Sequence, residues 1–331
     1  MKTISPQKKG FDIITLGAAT VDVFVHVNPE FQKDKKHEDA CFPIGSKILI
    51  DSLHTDTGGG GTNTAISFAR LGLKTSWIGA IGTDLNSKLV KNLLHQERVR
   101  EISTTKNANT GYSVILTGLH KDRIILAYKG ANDLLSPADI PWNKLKTSWM
   151  YCASLTGKSQ STMEHACLWA KRNKIKYAVN LSQYLAEQGM KNLKNIIQDC
   201  DALILNKEEA RALTGINNAD INKLLKQLQQ AAKIVVITDG PRGAVAYNGI
   251  KKYEIRARKI HVVETTGAGD AFASGFVAGF FLYKKIEKAM QLGLAQSEAV
   301  IQYIGAKKGL LTLRQAEKVM RKPAKMKISF L

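Results

Sequence analysis

The chain has 331 residues, 44% of them hydrophobic and 23% charged, with 48 Lys and Arg against 28 Asp and Glu. These proportions suit a globular protein with a sizeable core and exclude a disordered or fibrous one. No stretch reaches the ~18 consecutive apolar residues of a membrane span, and no apolar h-region follows Lys2, Lys8 and Lys9 to make a secretory signal, so a cytoplasmic location is expected.

The formal charge of +20 raises nucleic-acid binding as a function. Yet cations such as Lys171, Arg172, Lys174 and Lys176 are scattered over helix-like segments, without zinc-finger spacing or an aromatic single-strand motif. The reading is a solvated basic surface whose field also draws anionic nucleotides. Cys41, Cys152, Cys167 and Cys200 form no CxxC pair, which predicts free thiols rather than a zinc site or disulfide framework.

In chain order, an apolar run at residues 11–16 leads into Gly17-Ala18-Ala19-Thr20-Val21-Asp22. This puts an acid just past the C-terminal end of a strand, the edge at which open α/β sheets bind ligands. Within residues 23–57, the charged stretch 31–41 predicts an exposed, mobile excursion. Thr57-Gly58-Gly59-Gly60-Gly61-Thr62-Asn63 then precedes a helix over 64–71. Four glycines let a ligand approach the backbone, and Asn63 offers a donor and an acceptor to a polyol. No Gly-Lys-Ser/Thr follows, so this is not a Walker A loop.

A strand at 75–81 and a helix at 87–94 come next, after which residues 110–129 hold strand-like runs with no crossover helix. Segments 23–57 and 110–129 together predict antiparallel strands standing off the main sheet as a small lid. From residue 148, strands at 148–152, 177–181, 202–205 and 234–238 alternate with helices at 163–171 and 223–230. The alternation predicts one α/β domain over 1–331, a mostly parallel sheet flanked by helices on both faces. The basic tail 318–327 is expected to fray.

The densest local signal is Glu264-Thr265-Thr266-Gly267-Ala268-Gly269-Asp270, between the apolar Val262-Val263 and a helix-like stretch. A small-residue turn at a helix N-terminus aims backbone N–H groups at an anion. Ala271, Ala273, Ser274 and Gly275 keep that helix slim, so Asp270 can reach a hydroxyl and take its proton. A tight turn with Asp270 as helix cap accounts for the same residues.

Taken in order, Asp22, the set Gly58, Gly59 and Asn63, and Gly267-Ala268-Gly269-Asp270 resemble the signatures of the ribokinase family, the PfkB carbohydrate kinases. The resemblance spans nearly the whole chain and implies a ribokinase-like fold. It also implies an ATP-dependent phosphotransferase for an alcohol group of a small sugar, ribose- or fructose-like. Asp270 would then be the catalytic base, Gly267, Ala268 and Gly269 the anion hole, and Asp22, Gly58, Gly59 and Asn63 the substrate contacts.

Asn206-Lys207-Glu208-Glu209 is similar to the family's Asn-x-x-Glu, which implies that Asn206 and Glu209 organise magnesium and its water around the phosphates. Thr238-Asp239-Gly240-Pro241-Arg242-Gly243 resembles the nucleotide loop Thr-x-Gly-x-x-Gly, so Thr238, Gly240 and Gly243 are expected to line the ATP site. Glu264 stands where many members carry an Asp beside a potassium ion, which makes it a candidate monovalent-cation residue in altered form. Gly130-Ala131-Asn132 and Ile304-Gly305-Ala306 also resemble family segments, and relatives often pair their lids in a homodimer. Thr110-Gly111 leans toward sugar kinases, whereas Asn180-Leu181-Ser182 is similar to nucleoside-specific members. A nucleoside kinase is thus the alternative. A non-enzymatic protein binding nucleic acid or another anion is the reading from a different class, marked by salt-dependent binding without turnover.

Overall fold

The computed structural model describes residues 10–27, 42, 44–119, 122–217 and 220–331. The charged excursion at 31–41, Cys41 included, lies outside the described residues. Two sheets are formed. The strands are β1 (Phe11–Leu16), β2 (Thr20–His26), β3 (Ser52–Gly58), β4 (Thr75–Ile81), β5 (Arg100–Thr105), β6 (Gly111–Leu119), β7 (Asp122–Tyr128), β8 (Thr147–Ala153), β9 (Lys176–Asn180), β10 (Ala202–Asn206), β11 (Val235–Thr238), β12 (Ala244–Tyr247), β13 (Lys251–Ile255) and β14 (Met326–Phe330). The helices are α1 (Gly60–Arg70), α2 (Leu85–Gln96), α3 (Gln160–Arg172), the single turns α4 (Gln183–Ala186), α5 (Gly189–Asn192) and α6 (Lys194–Ile197), then α7 (Lys207–Thr214), α8 (Ile221–Leu228), α9 (Ala268–Tyr283), α10 (Ile286–Val300) and α11 (Leu313–Met320).

The large sheet has the order β14-β13-β12-β11-β10-β9-β8-β1-β4-β5. From β11 to β5 every pairing is parallel, and β12 to β14 continue the sheet antiparallel. Parallel strands need both faces covered, and side-chain alternation shows how that is met. Ile14, Leu16, Met150 and Cys152 face one core with α3, α7 and α8, while Ile13, Trp149 and Tyr151 face another with α9, α10 and α11. Cys152, Cys167 and Cys200 are buried free thiols, in keeping with packing roles.

Three expectations are corrected. The small sheet, β3-β2-β6-β7, is mixed rather than antiparallel, because β2 and β6 leave the main sheet in the same direction and pair in parallel. The tail does not fray: α11 starts with a Thr312/Gln315 capping box and β14 pairs with β13 from Met326 to Phe330. Segment 23–57 is not where the small sheet begins: its first strand, β2, starts at Thr20 just past β1 and already includes Asp22, opposite Asp56 of β3 and Ser113 of β6.

Helix α9 rests on α10 through small residues. A methyl carbon placed on Gly275 would lie 2.8 Å from Gly293 Cα and 2.9 Å from the Leu292 carbonyl oxygen, both backbone atoms that cannot swing away. Overpacking of this kind costs about 1–3 kcal/mol. Gly275→Val is expected to lower the urea unfolding midpoint accordingly, with an unchanged m-value.

Candidate active site

Helix α1 begins earlier than its apolar pattern suggests, inside the glycine run. Gly59 has φ +93°, and a side chain there would strike the Ala18 carbonyl. A side chain at Gly61 would lie 2.5 Å from the Gly17 backbone. The glycines therefore serve first to seat the helix start against the loop after β1. Asn132 pins that loop from behind, accepting from Ala19 N–H (3.0 Å) and donating to the Ala19 carbonyl (2.8 Å).

Helix α9 faces α1 across this gap. Gly267, at φ +79°, turns the chain into the helix, and a side chain there would collide with Ala306. Gly269 faces open space, with nothing within 4 Å of where a side chain would begin. The first-turn N–H groups of a helix have no intrahelical acceptor, although Ala268 N–H makes a long 3.2 Å bond to the Thr265 carbonyl. Asp270 follows in the first turn, and its Oδ2 accepts from Asn63 Nδ2 at 2.9 Å. Its Oδ1 points toward Gly60, about where a β-carbon on that residue would be 3.5 Å away.

Asp22 is buried and accepts from Thr20 Oγ1 at 2.8 Å. Burial raises the carboxyl pKa of both Asp22 and Asp270, opposed at Asp22 by hydrogen bonds from Thr20 and Ser113 and at Asp270 by the bond from Asn63. The positive charge of Lys307 lowers both. Lys307 and Asp56 are not anticipated from the sequence. Lys307 is 3% exposed, its Nζ donating to the Thr57 carbonyl and to Asn63 Oδ1 (3.2 Å), with Asp56 Oδ1 at 3.7 Å. Its position directly after Gly305-Ala306 was the available signal.

The other predicted residues sit further along the same sheet edge. Strand pairing sets Asn206 beside Thr238 at the C-terminal ends of β10 and β11. Asn206 and Glu209 form a capping box for α7: Glu209 N–H donates to Asn206 Oδ1 and Asn206 N–H to Glu209 Oε2, both at 2.7 Å. Asp239 organises the loop at 240–243, with Arg242 bound to both its oxygens (2.7 and 2.6 Å) and Lys207 at 3.4 Å. Thr238 Oγ1 makes only a long 3.4 Å bond to the Leu205 carbonyl. Gly240 and Gly243 both take positive φ, and a side chain on Gly243 would hit the Ile255 carbonyl. Asn180 spends its amide on the Ile204 carbonyl (2.9 Å) rather than facing the gap.

Glu264 is engaged locally. Its carboxylate accepts from Thr266 N–H (2.8 Å) and Thr266 Oγ1 (2.7 Å), and Arg123 of β7 approaches to 3.8 Å while donating to Thr265 Oγ1 at 2.7 Å. Among the described residues no group of three or more His, Cys, Asp and Glu is arranged to hold a metal ion. No described helix is long and apolar enough to cross a membrane.

Burial raises the Glu209 carboxyl to about 7, against the Asn206 N–H bond and with help from the neighbouring Asp270 and Glu208 charges. The folded state thus keeps this proton to about pH 7, whereas the unfolded chain releases it near the ordinary 4.5. The group's contribution to stability falls as pH rises through that window and is level outside it. Glu209→Gln keeps a capping amide and is expected to flatten that part of the fall in Tm, read from thermal unfolding at stepped pH.

Residues 30–313 match the family model of the pfkB family carbohydrate kinases. The chain is 28% identical over 280 residues to a ribokinase of Haemophilus influenzae, covering 82% of this chain and 89% of that protein. It is 25% identical to a 5-dehydro-2-deoxygluconokinase of Bacillus subtilis, covering 97% and 99%. The solved structure of Arabidopsis thaliana ribokinase complexed with ribose and ATP superposes with a TM-score of 0.75 at 21% identity, over 95% of this chain and 99% of that one. The two-sheet architecture is therefore ribokinase-like, and with its motifs matched over most of its length the chain belongs to the pfkB family of carbohydrate kinases.

Proposed function

We propose that the protein transfers the terminal phosphoryl group of ATP to a primary alcohol of a small sugar, ribose- or fructose-like, with Asp270 as the base. The observation that carries this reading is the division of labour at the Asp270 carboxylate: Oδ2 is held by Asn63 at 2.9 Å, while Oδ1 faces the glycine-lined gap. A carboxylate fixed by one oxygen presents the other to an incoming hydroxyl in a set orientation, which is what proton removal during phosphoryl transfer requires. The names of the relatives, a ribokinase and a deoxygluconokinase, favour a sugar.

In this mechanism Asp22, Gly58, Gly59 and Asn63 hold the sugar's hydroxyls, and Asp270 Oδ1 accepts the proton of the attacking alcohol. Gly267, Ala268 and Gly269 direct their N–H groups at the transferring phosphoryl, Ala268 giving up its long bond to Thr265 to do so. Thr238, Gly240 and Gly243 cradle the nucleotide, with Lys207 and Arg242 bracing the loop through Asp239. When bound, magnesium neutralises the phosphate oxygens as charge passes to them. Glu209, with Asn206, is the residue of this chain that would order that ion's water. Without a cation its carboxyl is raised to about 7 by burial, and a nearby divalent charge would favour the ionised form. Glu264, already committed to Thr266 and Arg123, ties the lid to the anion hole rather than presenting a carboxylate to potassium.

Asp270→Asn is expected to lower kcat roughly 10²–10⁴-fold while leaving the KM for ATP near wild type; turnover at the wild-type rate would overturn the assignment. A panel of pentoses, hexoses, sugar acids and nucleosides with MgATP should give its highest kcat/KM on a neutral sugar. A preference for adenosine or inosine would instead make the protein a nucleoside kinase. Exchanging potassium for tetramethylammonium is expected to leave kcat unchanged.

A further inference from the structure

Among the described residues Lys307 is the ammonium whose charge acts on both Asp22 and Asp270, in the centre formed by α1, α9 and the strands β2 and β3. Its backbone is fixed from two sides. Arg70 at the end of α1 donates to the Lys307 carbonyl at 2.7 Å and to the Leu310 carbonyl at 3.3 Å, while pairing with Glu97 through Nε at 2.9 Å. The preceding Gly305 and Ala306 pack so tightly that a side chain on Gly305 would lie 2.5 Å from Asp56 Oδ2 and one on Gly267 would meet Ala306. From there the side chain runs inward, to the Thr57 carbonyl and Asn63 Oδ1.

An ammonium carries three donors and no acceptor. The end of the Asn63 amide that meets it must therefore be the oxygen, and the NH₂ end must meet Asp270, as found at 2.9 Å. The flipped amide would set NH₂ against an ammonium and oxygen against a carboxylate, unfavourable at both ends. A lysine at this position decides which way Asn63 points, and Asn63 decides which oxygen of Asp270 is left for the acceptor.

The geometry points to Lys307 as a positioning residue for the proposed phosphoryl transfer, locking the Asn63 amide against Asp270 and placing a buried positive charge that keeps Asp270 ionised. The inference rests on the reading of Asp270 as base. The charged and titratable groups facing the ammonium are Asp22 on β2, Asp56 on β3, Asp270 on α9 and Arg70 on α1, and the Asp270 charge is felt in turn at Glu209 and Tyr151. Burial pulls the Lys307 pKa down, and the three carboxylates push it back up.

The test uses full-length protein carrying ¹³C at the aspartate side-chain carboxyls, with the Asp270 resonance identified by its loss in Asp270→Asn. Lys307→Gln keeps a donor for Asn63 Oδ1 and removes the charge. Asp270 should then titrate about one pH unit higher than in wild type, as for a carboxylate losing a nearby opposite charge. The acid limb of kcat, measured with D-ribose and MgATP or the best acceptor of the panel, should move by the same amount with the KM for MgATP unchanged. Lys307→Arg, which keeps the charge, should move both back toward wild type. A folded Lys307→Gln protein whose Asp270 titration is unmoved would reduce Lys307 to a packing cation. If that variant does not fold, the wild-type protein decides: the Asp270 resonance should show a second inflection below pH 10.5, the ordinary lysine value, as Lys307 deprotonates, and its absence overturns the proposal. Wild-type turnover by Asp270→Asn would sink the base assignment alone, because the carboxyl titration still reads the coupling to Lys307.

Discussion

The hydrogen bond between Asn63 and Asp270 joins side chains 207 residues apart, and the rest of the molecule is arranged so that it can form. Each residue sits in the first turn of a helix, and glycines let each of the two helices seat closely on its own neighbours. Gly17 and Gly61 let α1 touch the end of β1, while Gly275 and Gly293 bring α9 down onto α10. The same glycines that bare the backbone to a ligand thus also set the distance between the helix ends. Ser274 Oγ donates to Ser67 Oγ at 2.7 Å further along the two helices and holds their crossing one turn below the site.

Electrostatics at that crossing are tuned by burial rather than by abundance of charge. The protein carries a formal +20, yet the acceptor end of the site is dominated by Asp22, Asp56 and Asp270, with Lys307 the counter-charge among them. Desolvation pushes Asp22 and Asp270 toward their neutral forms, and Lys307 works against it. At the ends of β10 and β11 the cations Lys207 and Arg242 are spent on Asp239 and shape a loop. One sheet edge thus holds an acidic half and a half with a braced glycine loop, which the proposed function would assign to the polyol and to the phosphates.

The lid is part of this arrangement. Strand β2 carries Asp22, β3 carries Asp56, and β7 sends Arg123 to Thr265 and Glu264 beside the turn into α9. Motion of the small sheet would therefore shift Asp22, Asp56 and the turn into α9 together, which on the proposed reading couples acceptor binding to the exclusion of water.

The periodicity of apolar runs was enough for a parallel sheet covered on both faces, and the glycine clusters were enough to mark the two helix starts at the site, because both depend on local sequence and backbone sterics. Asp22, Asn63 and Asp270 stood out as candidates because each lies in or beside a run of small residues, whereas Asn206 and Thr238 were singled out only by the likeness of their motifs to the family's. The parallel pairing of β2 with β6 and the docking of β14 were not legible, since strand pairing depends on where distant segments return in space. Lys307 and Asp56 stayed hidden as ordinary charged residues among many, and Arg123 likewise. Their chemistry comes from burial and from neighbours supplied by other elements, and those are set only when the chain closes on itself.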